Sequence, residues 1–314
     1  MEQEVEIQWR KYAPVLILVA ILIGVLLYSN LNKSTNSPTG AILLDLATLG
    51  ERTDFQYHFN TQTGDLVKKP EIGHFASDGR DGRSIVAIDN EGTSRAVFIF
   101  DVETGAHERF APGDITQKLL PVLSPDRTRV AYTVYPNDIK ELQRPSGWSI
   151  FVAKRGENPE AVAFGTDPHW SPDGRLILFI ADDGLNLFDT ERRQQYTAWQ
   201  LNDAAANVAM KMDVSQDGKM LAWSNPWNNE IVIAQIESWD PFNAAVIRRI
   251  ETQAFWPTFS PDGSWLAYEE VEWGKPNDNP RLMLYHIPTE KTVFAADLSE
   301  YDQEQMFITD WIQM

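Results

Sequence analysis

The stretch HWSPDGRLILFIADDGLNLFDT, residues 169–190, decides the fold of this 314-residue chain. It begins with an aromatic residue and a tight turn, continues through an apolar run and a short second turn, and ends with another apolar run. Short apolar runs that are bounded by turn residues indicate β-strands rather than helices. We therefore expect two strands of one sheet, joined by the connection ADDG.

The same turn recurs along the chain at a nearly constant spacing. Its aspartates, in chain order, are Asp81, Asp126, Asp173, Asp217 and Asp262, and the steps between them are 45, 47, 44 and 45 residues. A shortened last copy, ITDWIQM, places Asp310 another 48 residues on. A unit of about 45 residues with about four strands is typical of a β-propeller.

The two ends of the repeat region complete each other. AILLDLATLGE (41–51) is interpreted as a second strand of the repeat with no first strand before it, and ITDWIQM as a first strand with no second strand after it. Five complete units and one shared unit predict an all-β, six-bladed β-propeller over residues 41–314. Joining the N- and C-terminal strands in one blade would close the ring without an exposed sheet edge.

Ser-Pro-Asp-Gly fits a type I turn at each position, because Ser is favoured at the first, Pro fixes φ at the second and Gly suits the fourth. The predicted structural-turn residues are Asp81, Asp126, Asp173, Gly174, Asp217, Gly218, Asp262 and Gly263. The alternatives are a ring of carboxylates that holds a cation, or a sialidase-type Asp box. An Asp box requires Ser-x-Asp-x-Gly, and here Gly follows Asp directly.

The Pro-x-aromatic-Ser-Pro-Asp-Gly units at 168–174 and 257–263, each followed by a strand, resemble the WD40-like (PD40) repeats of the TolB-like propeller family. The resemblance covers roughly residues 41–314 and implies the propeller fold. It implies no particular function, because such propellers serve many unrelated tasks. TolB carries an α/β domain before its propeller, and this chain has an apolar segment and a linker there instead.

The N-terminal residues predict a membrane anchor. After a short segment (1–12), residues 13–28 (APVLILVAILIGVLLY) carry no charge and predict a single transmembrane helix, and residues 29–40 form a polar linker. The alternative, a cleaved signal peptide, lacks a small-x-small cleavage site. Arg10 and Lys11 precede the span, which favours a cytoplasmic N-terminus and an extracytoplasmic propeller, periplasmic or at the cell surface.

Composition and motifs argue against nucleic-acid binding, thiol chemistry and the common catalytic motifs. A formal net charge of −18 should repel nucleic acid, and the absence of Cys excludes thiol nucleophiles and thiolate metal sites. The sequence has no Gly-x-Ser-x-Gly elbow, Walker A loop, Rossmann glycine pattern or HExxH motif, and its five histidines are not paired at ligand spacing. We therefore expect no catalytic residue, cofactor or metal, and no enzyme.

The longest connections between first and second strands, 134–148, 224–230 and 271–281, carry Tyr135, Trp227 and Trp273 among polar residues. Aromatic anchors in a polar rim suit a protein interface, although these rings could equally pack onto the blades. The linker is expected to enter on the same face, which would then lie toward the membrane.

We therefore interpret the chain as a membrane-anchored, non-catalytic scaffold subunit that binds a membrane protein or a multisubunit membrane or envelope complex. The alternative is an extracytoplasmic carbohydrate- or small-ligand-binding propeller, with or without hydrolytic activity, that uses the central channel. The column expected to face the axis is apolar (Val86, Ala131, Leu178, Ala222 and Ala267), which argues against this alternative.

Overall fold

The computed structural model describes residues 37–46, 55–70, 72–91, 94–114, 118–135, 147–200, 211–225, 228–271, 280–301 and 307–313. The predicted N-terminal segment, the predicted transmembrane helix and most of the linker lie outside these residues. Within the described part, no helix is long and apolar enough to cross a membrane.

Six four-stranded antiparallel sheets confirm the six-bladed β-propeller. From the axis outward, blade 1 contains β24 (Phe307–Ile312), β1 (Ala41–Leu46), β2 (Phe55–Asn60) and β3 (Leu66–Lys68), and blade 2 contains β4 (His74–Asp78), β5 (Ser84–Glu91), β6 (Ser94–Asp101) and β7 (His107–Asp114). Blade 3 contains β8 (Lys118–Leu123), β9 (Arg129–Val134), β10 (Ser149–Lys154) and β11 (Glu160–Phe164), and blade 4 contains β12 (Thr166–Trp170), β13 (Leu176–Ala181), β14 (Gly184–Asp189) and β15 (Gln194–Gln200). Blade 5 contains β16 (Met212–Val214), β17 (Met220–Asn225), β18 (Glu230–Trp239) and β19 (Phe242–Glu251), and blade 6 contains β20 (Ala254–Phe259), β21 (Trp265–Glu270), β22 (Arg281–His286) and β23 (Lys291–Asp297).

Blade 1 joins the two ends of the repeat region, as the sequence predicted, but the assignment of its strands was wrong by one. The C-terminal β24 is the innermost strand, and it pairs with β1, which is therefore the second strand of the blade. The Ser-Pro-Asp-Gly turn thus joins the innermost strand to the second strand in each complete blade. The strands that the sequence analysis numbered first and second, counting from the turn, are the second and third strands counted from the axis. β1 was therefore expected to be equivalent to the third strands, and it is equivalent to the second strands.

This shift also corrects the residues expected to face the axis. Val86, Ala131, Leu178, Ala222 and Ala267 lie on second strands, and each pairs with an axis-facing residue of the innermost strand. The innermost strands were missed because they are short and most are interrupted by a bulge, so they show no regular apolar alternation.

A bulge recurs in the innermost strands. Phe75, Leu120, Asp167 and Trp256 have φ between 50° and 56°, and the pairing register shifts at each of them. Pro follows three of these four residues in the chain. Because Pro has no N–H to donate, it suits a bulge, where a ladder hydrogen bond is missing. Three of the four bulge residues, Phe75, Leu120 and Asp167, line the central cavity.

The hydrophobic core lies between blades. Aliphatic residues of the second and third strands of one blade pack against those of the next, as in the cluster that joins Leu178 and Leu187 of blade 4 to Leu221 and Val232 of blade 5. Because each blade has one sheet, both of its faces are buried, and its middle strands are almost continuously apolar. The polar positions inside the ring therefore stand out.

The two ends of the propeller differ in their connections. At the turn face, Ser-Pro-Asp-Gly turns join first to second strands, and at the loop face, longer connections join second to third strands. Ala41 begins β1 opposite Ile312, the last residue of β24, so the chain enters blade 1 at the turn face. The expectation that the linker enters at the loop face, and with it the reason for turning that face to the membrane, was wrong.

Candidate functional site

The axis of the propeller is lined by one residue from each innermost strand. In blade order these are Asp310, Ser77, Val122, His169, Asp213 and Thr258, so five of the six are polar. Most of them line a central cavity of about 70 Å³. Polar side chains therefore converge on the axis, where the sequence had led us to expect apolar ones.

Three aspartates of this channel hold neighbouring blades together. Asp213 of blade 5 accepts hydrogen bonds from the backbone N–H of Phe259 (2.7 Å) and the Thr258 hydroxyl (3.2 Å) of blade 6. Asp310 of blade 1 accepts one from the N–H of Asp78 of blade 2 (2.8 Å). Asp167 of blade 4 makes the same kind of bond to the N–H of Met212 of blade 5 (2.5 Å). Each carboxylate satisfies a backbone donor that the next blade leaves open.

His169 and Lys211 lie among these carboxylates. His169 Nε2 is 3.5 Å from Asp167 Oδ1, and its Nδ1 is 3.7 Å from Asp213 Oδ1. The Lys211 Nζ is 3.9 Å from Asp167 Oδ1 and donates to the Thr309 carbonyl at 3.5 Å. Lys211 is only 4% exposed, so its charge depends on these partners rather than on water.

The carboxyl groups differ in their affinity for protons. Burial alone would raise the pKa of Asp167, but the Lys211 charge and the contact with His169 outweigh it and lower that pKa. Burial, together with the charges of Asp213 and Asp78, raises the pKa of Asp310 to about 7. Asp310 retains some contact with the channel space, but protein surrounds its carboxyl group. The protonated form of Asp310 is therefore favoured more than that of an exposed aspartate.

Two irregular blades narrow the channel at the turn face. Blade 5 has Gln216 where blades 3, 4 and 6 have Pro, and blade 2 has Gly79 and Arg80 in place of the Ser-Pro pair, preceded by Asp78 in place of an apolar residue. The Gln216 Nε2 reaches Asp78 Oδ2 across the axis at 3.4 Å. The Arg80 guanidinium donates to the Leu123 carbonyl of blade 3 at 2.8 Å. The channel therefore ends in polar contacts between opposite blades.

The channel contains groups that could exchange protons, but its three aspartates already accept hydrogen bonds from backbone N–H groups of neighbouring blades. Its cavity of about 70 Å³ holds a few water molecules, since one water needs roughly 10–15 Å³. Among the described residues, no group of three or more His, Asp or Glu side chains is arranged to hold a metal ion.

The structure places the turn aspartates of the five complete repeats in turns, whereas Asp310, expected in a shortened copy of the turn, lies on β24 instead. In blade 4, Gly174 N–H donates to the Ser171 carbonyl (2.9 Å), Ser171 Oγ donates to Asp173 Oδ1, and Arg175 N–H donates to the same oxygen (3.0 Å). The corresponding residues of the other turns are Asp126, Asp217, Gly218, Asp262 and Gly263, and Asp81 bonds the N–H groups of Arg83 and Ser84. These carboxylates are occupied by their own turns.

Of the predicted partner-contact residues, the structure describes Tyr135. It is half-buried at the loop-face end of β9, and its ring centroid is 4.9 Å from that of Trp148, with the planes tilted by 47°. Tyr135 therefore packs onto its own blade. Trp227 and Trp273 lie outside the described residues.

Sequence reasoning missed the polar channel. The available signal was the pair of residues two apart before the turn, such as Asp167 and His169, or Lys211 and Asp213. Lys211 and Asp213 are two apart in a regularly paired stretch and therefore point to the same side of the sheet. Asp167 and His169 are separated by a bulge, but they line the same central cavity.

No protein-family model and no curated protein matches the sequence. Solved structures do match by fold. TolB from Acinetobacter baumannii matches with a TM-score of 0.61 and 16% identity, over 88% of this chain and 67% of that one. A TolB candidate from Agrobacterium tumefaciens matches with a TM-score of 0.55 and 14% identity, over 84% of this chain and 90% of that one. The predicted resemblance to TolB-like propellers is thus confirmed for the fold.

An enzyme shares the fold as well. Oligogalacturonate lyase in complex with manganese matches with a TM-score of 0.54 and 11% identity, over 78% of this chain and 71% of that one. Because identities this low concern the fold alone, the function has to be argued from the side chains of this chain.

Proposed function

We propose that this chain is a membrane-anchored, non-catalytic interaction subunit of a membrane or envelope assembly. The observation that supports the proposal is that the carboxylates of the channel are already hydrogen-bonded within the protein. Asp167, Asp213 and Asp310 already bond backbone N–H groups of neighbouring blades, and the cavity beside them is about 70 Å³. A general acid or base needs its substrate within hydrogen-bond reach, and this cavity holds only a few waters.

The partner surface in this proposal is the loop face. Tyr135 lies there, and Trp227 and Trp273 belong to the corresponding connections of blades 5 and 6. Since the chain enters β1 at the turn face, the loop face is the end of the propeller away from that attachment. The net charge of −18 favours encounter with a basic partner.

Replacing the two tryptophans tests this assignment. In the full chain, Trp227→Ala together with Trp273→Ala should reduce co-purification with membrane proteins by about tenfold or more, since aromatic anchors carry much of an interface's energy. Phe164→Ala is the matched control, because Phe164 is an aromatic residue that is 67% exposed on the outermost strand of blade 3. Unchanged co-purification by a folded double variant would contradict the proposal.

The alternative function, small-ligand binding in the channel, is supported by the convergence of His169, Asp213 and Asp310 on the axis. The volume of about 70 Å³ restricts such a ligand to the size of a few waters or one ion, well below a sugar ring. Calorimetric titration of the wild type and of Asp213→Asn with Ca²⁺ and Mn²⁺ tests it. Saturable heat that the variant loses would favour the alternative, and equal heats would contradict it.

A further inference from the structure

The third strand of blade 1 has polar residues at two positions where the other five blades have aliphatic ones. At one of its positions the other blades have Ile99, Val152, Leu187, Ile233 and Leu284, and blade 1 has His58. Two residues earlier they have Val97, Ile150, Leu185, Ile231 and Leu282, and blade 1 has Gln56. Aliphatic residues at these positions pack against the next blade, so the polar pair faces the seam between blades 1 and 2.

The polar pair is buried without full hydrogen bonding. His58 is 4% exposed and Gln56 is 0% exposed. Within the described part of the chain, neither ring nitrogen of His58 and not the Gln56 Oε1 has a hydrogen-bond partner. Leaving a buried polar group unpaired costs about 1–3 kcal/mol, so these residues oppose folding where the other blades stabilise it. Such a local cost is typical of a functional site.

A groove opens directly above this pair. It lies at the turn-face end of the seam, has a volume of about 380 Å³, and is lined by His58 and Asn60 of blade 1 and by Arg83 and Glu103 of blade 2. Its apolar walls are Val67, Val102 and Ile312. Small-molecule pockets have volumes of roughly 300–1,000 Å³, with apolar walls and a few polar groups.

At three of the other five seams, arginines link neighbouring blades near the turn face. Arg127 of blade 3 pairs with Asp81 of blade 2 at 2.7 Å, and Arg129 donates to the Gly174 carbonyl of blade 4 at 2.6 Å. Arg248 of blade 5 pairs with Glu290 of blade 6 at 2.8 Å. The open groove between blades 1 and 2 therefore differs from these three seams.

The state of the histidine restricts the ligand. Burial, reinforced by the Lys69 charge, lowers the His58 pKa to about 4, so the ring is neutral at physiological pH. A neutral imidazole offers one donor and one acceptor. A hydroxyl group both donates and accepts, whereas a carboxylate cannot donate and an ammonium cannot accept.

We propose that the groove between blades 1 and 2 binds a small uncharged molecule with an apolar body and a hydroxyl group, which His58 recognises at the base of the groove. The apolar body lies against Val67, Val102 and Ile312. Because both ring nitrogens are buried, this recognition requires the imidazole to rotate until one of them reaches the groove surface.

The test uses the full chain in detergent and two probes, 4-methylphenol and its O-methyl ether 4-methylanisole, with binding measured by saturation-transfer difference NMR. The phenol should bind saturably and about tenfold more tightly than the ether, which corresponds to one hydrogen bond of about 1.4 kcal/mol. His58→Leu, which installs a residue found at this position in two other blades, should remove that difference. His107→Leu, on the exposed outermost strand of blade 2, should retain it.

Several results would overturn the proposal: no saturable binding, equal affinity for phenol and ether in the wild type, or a preference for the phenol that persists in His58→Leu. Tighter binding of methyl glucoside than of 4-methylphenol would overturn the apolar ligand class. If His58→Leu fails to fold, the comparison of the two probes on the wild type still decides, because it needs no variant.

Discussion

The central channel and the seam between blades 1 and 2 both bury polar side chains, but they treat them in opposite ways. In the channel, Asp213 and Asp310 accept backbone N–H groups of the next blade, and Asp167 faces Lys211. At the seam, the ring nitrogens of His58 and the Gln56 Oε1 have no partner within the described part of the chain. Polar residues of the channel thus stabilise the ring, and those of the seam weaken it.

Buried polar side chains therefore have two different roles in this fold. A buried charge that links blades does structural work, whatever its resemblance to an active site. A buried polar group with unpaired atoms that replaces an aliphatic residue at an equivalent position, and that links no blades, indicates a function outside folding. Stability measurements can separate the two.

The largest expected effect is in the channel. Asp167→Asn keeps a residue that tolerates the observed φ of 56° but removes the charge that faces the buried Lys211. Breaking a buried ion pair costs about 3–5 kcal/mol, so we expect the free energy of unfolding to fall by about 4 kcal/mol in urea titrations followed by tryptophan fluorescence. Asp173→Asn, at an exposed turn, is the control and should cost below about 1 kcal/mol. Equal losses of unfolding free energy in the two variants would contradict the claim that the buried pair of Asp167 and Lys211 stabilises the ring.

The second-largest effect is expected for Glu269 of blade 6. This residue is buried like the channel residues, but it has an unpaired side-chain oxygen like Gln56 at the seam. Burial raises its pKa to about 8, and its Oε1 has no partner within the described residues. The folded state therefore binds more protons than the unfolded state, and stability falls as pH rises from about 4.5 to about 8.

Glu269→Gln removes this titration. Above pH 8 the variant should be more stable than the wild type by on the order of 3 kcal/mol, and its stability should change less between pH 4.5 and 8. Asp310, with a pKa raised to about 7, leaves a residual fall between about pH 4 and 7. Urea titrations across this pH range measure both. Parallel pH profiles for variant and wild type would show that folding does not raise the pKa of Glu269.

At the seam we expect a gain. Gln56→Ile and His58→Leu install the residue types of the other blades, and each should raise the free energy of unfolding by about 1–2 kcal/mol, because an unpaired buried polar group disappears and apolar contact is added. Ile231→Gln, at the position of blade 5 equivalent to Gln56, is the matched reverse variant and should lose stability. Losses for both blade 1 variants would place His58 and Gln56 with the structural polar groups of the channel.

The smallest effect is expected at a turn, which gives a baseline for both regions. Gly174 has φ of 73°, a conformation that costs an L-residue with a Cβ about 1 kcal/mol. Gly174→Ala should therefore lower stability by about 1 kcal/mol in urea, and Gly174→Asn, which tolerates this conformation better, should lose less. A larger loss for Asn than for Ala would contradict this reading of the turn.

The sequence predicted the propeller, its six blades and its closure, because the Ser-Pro-Asp-Gly turns and the apolar runs after them are local signals with a regular period. It did not reveal the innermost strands. These are three to six residues long, and most are interrupted by a bulge at residues such as Asp167 and Trp256, so they show no alternation. The strand assignment therefore slipped outward by one, and the axis was expected to be apolar.

The candidate sites depended on contacts between blades, which are distant in the chain. The link from Asp213 to Phe259 spans 46 residues, and the link from Asp310 to Asp78 spans 232. The contrast of Gln56 and His58 with their aliphatic equivalents could have been seen only if β2 had been aligned with the third strands of the other blades. The error in assigning β1 prevented that alignment.

The claim that the chain acts by binding a partner is tested most directly on the native protein. Membranes that contain the full chain are extracted with a mild detergent, separated by size, and analysed by mass spectrometry. We expect the chain to elute in a complex much larger than its own mass of 35.7 kDa, with other membrane proteins in fixed ratio to it. Elution as a lone chain in its detergent micelle, with no protein in fixed ratio, would contradict the account.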